Sequence, residues 1–265
     1  MALKDKSRIG ENIYLVLIYL FLFLPILVVI TYSFNSSKMN IIFQSFTVKW
    51  YYSLLQNSAL LEALTNTLLI AATSTLVSGV IGTMGALGMH KYDFCGKKII
   101  DALLYIPVVI PEIVLGISLL IVFSLLKLKL GLFTIILAHI TFSIPFVVIT
   151  VRARLAILDK FLEEASLDLG ATRLKTFFNI TLPLVRPGVL SGLMLVFTLS
   201  LDDVIITFFT AGPGSNTLPL KIFAMMKIGV SPEVNALFTL IMAVTIIGLG
   251  GVTFFQINKL KMTVK

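Results

Sequence analysis

Three carboxylates stand in stretches that are otherwise almost wholly apolar: Glu112, Asp202 and Asp203. A bare carboxylate in a membrane span is unfavourable by roughly 2.5–3.5 kcal/mol at the centre, so such residues face a cavity or a partner. Glu112 follows Pro107 and Pro111. Those prolines remove backbone donors and loosen a helix, as expected where a site is built on a discontinuous helix. Asp202 and Asp203 are adjacent, and neighbouring helix positions differ by about 100°, so both cannot face one cavity. The other carboxylate is then available to pair with a second subunit or to cap a broken helix. No Lys or Arg lies deep in an apolar run to neutralise these charges, and the missing partner is a cation. Side-by-side carboxylates are poor geometry for an aspartic dyad, which needs facing groups. The chain has no G-x-x-x-x-G-K-[ST] and no H-E-x-x-H, so it is expected neither to hydrolyse ATP nor to be a zinc protease.

A second constellation lies in a basic connection. It reads Glu164-Ala165-Ser166, three residues, Gly170, nine residues, then Ile180-Thr181-Leu182-Pro183. Asp159 can cap a helix running through Leu169, and Gly170 suits its end. Thr172 can cap a second short helix that stops before Pro183. Two short helices joined at a glycine make a knob. Ala165, Ser166, Gly170 and Ala171 are small at its bend, which lets another protein approach the backbone closely.

The elements that must position these residues follow from composition. The chain has 265 residues, 58% hydrophobic and 13% charged, with a mean hydropathy of +1.03. A soluble domain is about 45–50% apolar and about 25% charged. Six apolar runs are expected as spans, at 13–33, 62–89, 99–126, 131–151, 187–210 and 235–257. The fold class is all-α and polytopic. The runs are long and apolar on all sides, unlike the short alternating strands of a membrane β-barrel. The first run is too long for the core of a signal peptide and is read as an uncleaved span. Residues 1–12 and 258–265 are tails, 13–257 the membrane domain with a core from about 62, and 152–187 the longest internal connection. Counted at about 1.5 Å per residue, Glu112 and Asp202 lie about 20 and about 22 Å from the same membrane face.

Of the 21 Lys and Arg residues, fifteen fall on the side shared by both tails, residues 91–98 and the 152–187 connection. The positive-inside rule makes that side cytoplasmic. This split accounts for most of the basic pI without nucleic acid. The single Cys95 excludes an intramolecular disulfide, and no cofactor is expected. His139 is read as a buried histidine bonded to a neighbouring helix. Gly79, Gly82, Gly85 and Gly88 are read as a packing stripe. Trp50, Tyr51 and Tyr52 are read as interfacial anchors, with contact to a binding protein or substrate as the sharper alternative.

The 164–183 constellation resembles the EAA motif of bacterial ABC-importer permeases, departing from it at Ser166. Ser33-Phe34-Asn35, Phe46-Thr47 with Trp50-Tyr51, Leu201 to Val204, Leu218 to Ile222 and Ser231 to Ala236 occur in the same order as in spermidine/putrescine-type permease subunits. The resemblance covers about residues 10–257. It implies a type I ABC importer permease fold in the bacterial inner membrane, with a cytoplasmic coupling helix that docks on an ATPase. Glu164, Ala165, Ser166 and Gly170 would form that helix, with Ile180, Leu182 and Pro183 in the same motif. Leu182 and Pro183 would set the angle back into the membrane. The implied partners are a second homologous permease, two copies of an ATP-binding subunit, and an extracytoplasmic polyamine-binding protein. Linear polyamines carry two to four ammonium groups, which suits separated carboxylates such as Glu112, Asp202 and Asp203. Importers for ferric iron, thiamine or phosphonates remain open alternatives, as does an ion-coupled secondary transporter.

Overall fold

The computed structural model describes residues 2–38, 42–159, 161–226 and 231–263, with side chains described between 11 and 247. The helices are α1 (Ala2–Ser33), α2 (Lys49–Gln56), α3 (Ser58–Lys91), α4 (Lys97–Val109), α5 (Glu112–Leu125) and α6 (Leu132–Leu155). They continue as α7 (Phe161–Asp168), α8 (Arg173–Thr176), α9 (Leu182–Asp202), α10 (Ile205–Thr210), α11 (Leu218–Met225) and α12 (Pro232–Thr263). Among the described residues the extended pairing is one isolated bridge, Asn35 to Phe46. The all-α expectation holds.

Four helices are long and apolar enough to cross a membrane: Glu11–Ser33, Ser58–Lys91, Leu132–Leu155 and Arg173–Asp202. Two expected spans are interrupted. The run at 99–126 is not one helix but α4 and α5, bent by 113°. Pro111 disfavours helical backbone at Ile110, which is extended at φ −68° and ψ 137°. Counted as one span, this pair makes a fifth. The run at 187–210 does not reach Thr210 as one helix, because α9 stops at Asp202. The run at 235–257 falls within α12, whose Pro232–Ile247 portion is apolar; its remaining side chains, and those of the two tails through residue 10 and from 258, lie outside the described residues.

The chain divides into two compact units, Met1–Leu61 with Ala224–Lys265, and Glu62–Phe223. In the first, Asn35 is fully buried just after α1. Its amide donates to Ile42 O at 2.8 Å, and its Oδ1 accepts from Gln44 N at 2.9 Å. Trp50 is buried there, donating Nε1–H to Asn35 O at 2.6 Å. Tyr51 shares a hydrogen bond with Ser33 Oγ at 2.8 Å. Of the expected interfacial anchors only Tyr52 is exposed. Trp50 is a core residue, because its indole N–H closes an otherwise open backbone carbonyl. Glu233, in the first turn of α12, accepts from Ser53 and from Asn57 Nδ2 and so ties α2 and its C-terminal end to α12.

The second unit is a helical bundle around Ala86, Val147, Val148, Val151, Leu155, Val185 and Val196. Close approach is set by glycines. A Cβ on Gly192 would lie 2.5 Å from Thr150 Oγ1, and one on Gly82 2.7 Å from Val147 Cβ. The α3 stripe is therefore a packing surface at Gly82, and at Gly79 against Leu193, but not at Gly88, where a Cβ would meet nothing within 4 Å.

Candidate functional site

The break after α9 has neither glycine nor proline to cause it. Asp203 makes it instead, by offering its carboxylate to the next helix. Asp203 sits in extended backbone at φ −63° and ψ 128°. Its Oδ1 accepts from Ile206 N at 3.2 Å, and its Oδ2 from Thr207 N at 2.8 Å. Oδ2 also accepts from Thr207 Oγ1 at 2.7 Å. These are the open donors of the first turn of α10, where negative charge is favoured. From α6, His139 Nε2 reaches Asp203 Oδ2 at 3.3 Å and Thr207 Oγ1 at 3.1 Å. His139 Nδ1 is 2.7 Å from Ser200 Oγ, which lies 3.3 Å from Ser74 Oγ on α3.

Two sequence expectations change. The Asp203 side chain is only 4% exposed and fully engaged, so it is the helix-capping member of the pair and not a free path charge. The apolar runs also contain a possible partner for it, His139, on a helix 64 positions away. Asp202, the last residue of α9, is exposed.

Glu112 opens α5 and is exposed. One turn further along the same face, Gly116 lets α5 touch α10. A Cβ there would lie 2.7 Å from Phe209 Cδ2 and 3.5 Å from both Ile205 O and Ile206 Cα. This contact brings the start of α5 to the start of α10, and Glu112 lies within electrostatic reach of Asp203 and Asp202. The two interruptions thus meet. They present two exposed carboxylates beside one whose oxygens are already satisfied.

The 164–183 constellation folds as its local chemistry dictates. Asp159 Oδ1 accepts from Phe161 N at 3.0 Å to start α7. At the other end Ala171 N donates to Ser166 O at 3.1 Å and Gly170 N to Leu167 O at 2.9 Å. That bond pair is the Schellman closure, and it needs the left-handed backbone that Gly170 supplies at φ +84°. Thr172 Oγ1 accepts from Lys175 N at 3.4 Å, capping α8. Glu164, Ala165 and Gly170 are exposed, beside Leu169 at 89% exposure. Ser166 is not on that face. It is buried and shares a hydrogen bond with Thr176 Oγ1 at 3.0 Å, locking α7 to α8.

Two further expectations are corrected here. The second short helix does not end before Pro183. α8 passes through a π-helical turn, Phe177–Thr181, directly into α9. Pro183 cannot donate to the preceding turn, and the wider π turn relieves the clash. Leu182 and Pro183 therefore lie at the start of α9 in a helix that continues without a break from α8, with Ile180 inside the π turn. Because α6 runs on to Leu155, the 152–187 connection contracts to residues 156–172.

Sequence reasoning passed over Glu163. Lys91 Nζ, at the end of α3, bonds its Oε2 at 2.7 Å, and Thr181 Oγ1 donates to its Oε1 at 2.6 Å. Burial pushes this carboxyl up, but the bonds from Lys91 and Thr181 outweigh it and hold the group below the ordinary value. No local spacing signals a pair 72 positions apart.

Among the described residues no cluster of three or more His, Cys, Asp or Glu side chains is arranged to hold a metal ion. Residues 78–260 match the family described as binding-protein-dependent transport system inner membrane component. The chain is 43% identical over 241 residues to the spermidine/putrescine transport system permease protein PotC of Escherichia coli (strain K12), covering 91% of each. It is 41% identical to the putrescine transport system permease protein PotI of the same strain, over 88% of this chain and 86% of that one. A PotC homolog of Mycoplasma genitalium is 31% identical over 92% of this chain and 90% of its own. Among solved structures, a bacterial ABC transporter that imports alginate superposes with a TM-score of 0.74, covering 95% of this chain and 96% of that one at 15% identity. An inward-facing methionine ABC transporter superposes at 0.57 with 18% identity, over 79% and 97% of the two chains. These structures establish the shared type I permease fold. With the family match and the extent of identity, the chain belongs to the inner membrane components of binding-protein-dependent transport systems, the multi-pass permease subunits of ABC importers.

Proposed function

We propose that this subunit forms half of a polyamine path in an ATP-driven importer, with Glu112 and Asp202 as the carboxylates that replace water around the substrate's ammonium groups. The observation that carries this reading is the meeting of two broken helices that leaves Glu112 and Asp202 exposed while Asp203 is engaged elsewhere. A dication or trication suits two separated anions better than a neutral or anionic solute. The attraction is modest by necessity, because a conduit that binds too tightly does not release. The relatives named for spermidine and putrescine transport support the substrate class.

The exposed knob around Glu164, Ala165, Gly170 and Leu169 is the docking point for an ATPase subunit, present in two copies. A second permease completes the path, and an extracytoplasmic binding protein delivers substrate. Both termini and residues 156–172 face the cytoplasm, in keeping with the charge split. ATP hydrolysis belongs to the partner subunits.

Uptake of labelled spermidine and putrescine by cells making the complete transporter tests the path. Hydrogen bonds to charged groups contribute about 1.5–3 kcal/mol. Glu112→Gln and Asp202→Asn should each reduce uptake at least about tenfold, with assembly and basal ATP hydrolysis retained. Full uptake by the double variant would rule out the electrostatic path.

A further inference from the structure

We infer that His139 is a positioning residue for Asp202, acting from α6 through the interruption between α9 and α10. The inference rests on the reading of Asp202 as a path carboxylate.

A helix that stops inside a bundle without glycine or proline must have its new direction fixed by side chains. Here Asp203 fixes it through its bonds to Ile206 and Thr207, and one ring from α6 holds Asp203 and Thr207 in turn. His139 is 1% exposed and packs edge-on against Phe142, with ring centroids 5.3 Å apart. Both ring nitrogens have partners, so the ring is held at three points.

The hydroxyl directions set the tautomer. Thr207 Oγ1 gives its proton to Asp203 Oδ2 at 2.7 Å. Its lone pairs, like the carboxylate beside it, then face His139 Nε2 and can only accept. Nε2 therefore carries hydrogen. On the other side, Ser74 Oγ donates to Ile70 O at 2.6 Å and is left as an acceptor. Ser200 Oγ lies between His139 Nδ1 at 2.7 Å and Ser74 Oγ at 3.3 Å. With a neutral ring, Ser200 donates to Nδ1. With a charged ring, Nδ1–H donates to Ser200, which turns its proton to Ser74. Either charge state leaves both ring nitrogens and the Ser200 and Thr207 hydroxyls partnered, so the clamp holds in both. Its far end is Asp203, and the next residue back along the chain is Asp202. A shift of the ring is thereby a shift of the exposed carboxylate.

The test uses the complete complex in proteoliposomes, comparing KM and maximal rate of spermidine uptake for wild type, His139→Gln, Ser200→Ala, Asp202→Asn and the double variant His139→Gln/Asp202→Asn. His139→Gln should raise KM about tenfold, more than it lowers the maximal rate. Ser200→Ala should act in the same direction and less. The double variant should be no worse than Asp202→Asn alone within about twofold, since a positioning group acts through what it positions. Effects that multiply in the double variant, or failure of both His139→Gln and Ser200→Ala to assemble, would make His139 a scaffold residue and overturn the inference. A raised KM in Asp202→Asn with an unchanged KM in His139→Gln would overturn this inference alone. An unchanged KM in Asp202→Asn would overturn the path reading and take the inference with it.

Discussion

Replacing Gly170 separates two explanations of the knob. If the position matters because added bulk blocks docking, every side chain there is harmful in proportion to its size. The geometry supplies a second cause, in the backbone. A Cβ on Gly170 would meet nothing within 4 Å in this chain, but its backbone sits at φ +84°. A left-handed conformation costs an ordinary L-residue about 1–2 kcal/mol, and Asn tolerates it best after glycine. The knob has little to resist that cost, since α7 is eight residues long and Ser166 is the buried residue within it. A loss of 1–2 kcal/mol is about a 5–30-fold change in the ratio of folded to opened knob. Gly170→Val should therefore reduce uptake by up to about thirtyfold and speed hydrogen exchange at the amides of Gly170 and Ala171, whose bonds close the helix. Gly170→Asn should stay close to wild type, with Gly170→Ala between. Co-purification of the ATPase should follow the same order. Equal inactivity of the Asn and Val variants would show that bulk, not backbone, is what the position excludes, and would refute the reasoning.

Two further outcomes are expected. In a Cys95→Ala background, an impermeant thiol reagent should label Pro213→Cys from outside and Leu169→Cys only from inside; position 213 is preferable to Ser215, which is 2% exposed. Labelling of position 213 from the inside alone would reverse the assigned orientation. The Glu163 carboxyl is held below its ordinary 4.5, so the tie to Lys91 and Thr181 is fully present above pH 4.5 and is lost as pH falls through the lowered value. Exchange at the α7 amides should stay flat from neutral pH to about 4.5 and then accelerate beyond its intrinsic trend. A Glu163→Gln protein showing the same acceleration would refute the assignment.

What could be read in the sequence was local. The capping of α7 by Asp159, the left-handed closure at Gly170 and the cap at Thr172 each depend on residues within a few positions, and each formed. The prolines before Glu112 marked a weakened helix, though not a bend of 113°. The π turn was not legible, because it is the backbone's answer to a proline in a helix that packing keeps continuous. Nor was the division of labour between Asp202 and Asp203. Which of two adjacent carboxylates caps and which is exposed depends on where α6 places His139, and no short-range pattern encodes that. Trp50 shows the same limit: its composition suggested an interface, while its indole is committed to a carbonyl fifteen positions back.

The continuity of the helix from Arg173 to Asp202 has a mechanical meaning. Its 30 residues make a rod of about 45 Å with the α7–α8 knob at one end and the exposed carboxylate at the other. Gly192, where the rod lies hard against Thr150, is a natural fulcrum. From there Arg173 is about 29 Å away and Asp202 about 15 Å. Tilting about that point makes the rod a reducing lever. A push of about 3 Å at the knob becomes about 1.5 Å at Asp202, in the opposite sense and with twice the force. A movement of a few ångströms at the Arg173 end is thus halved by the time it reaches the carboxylate.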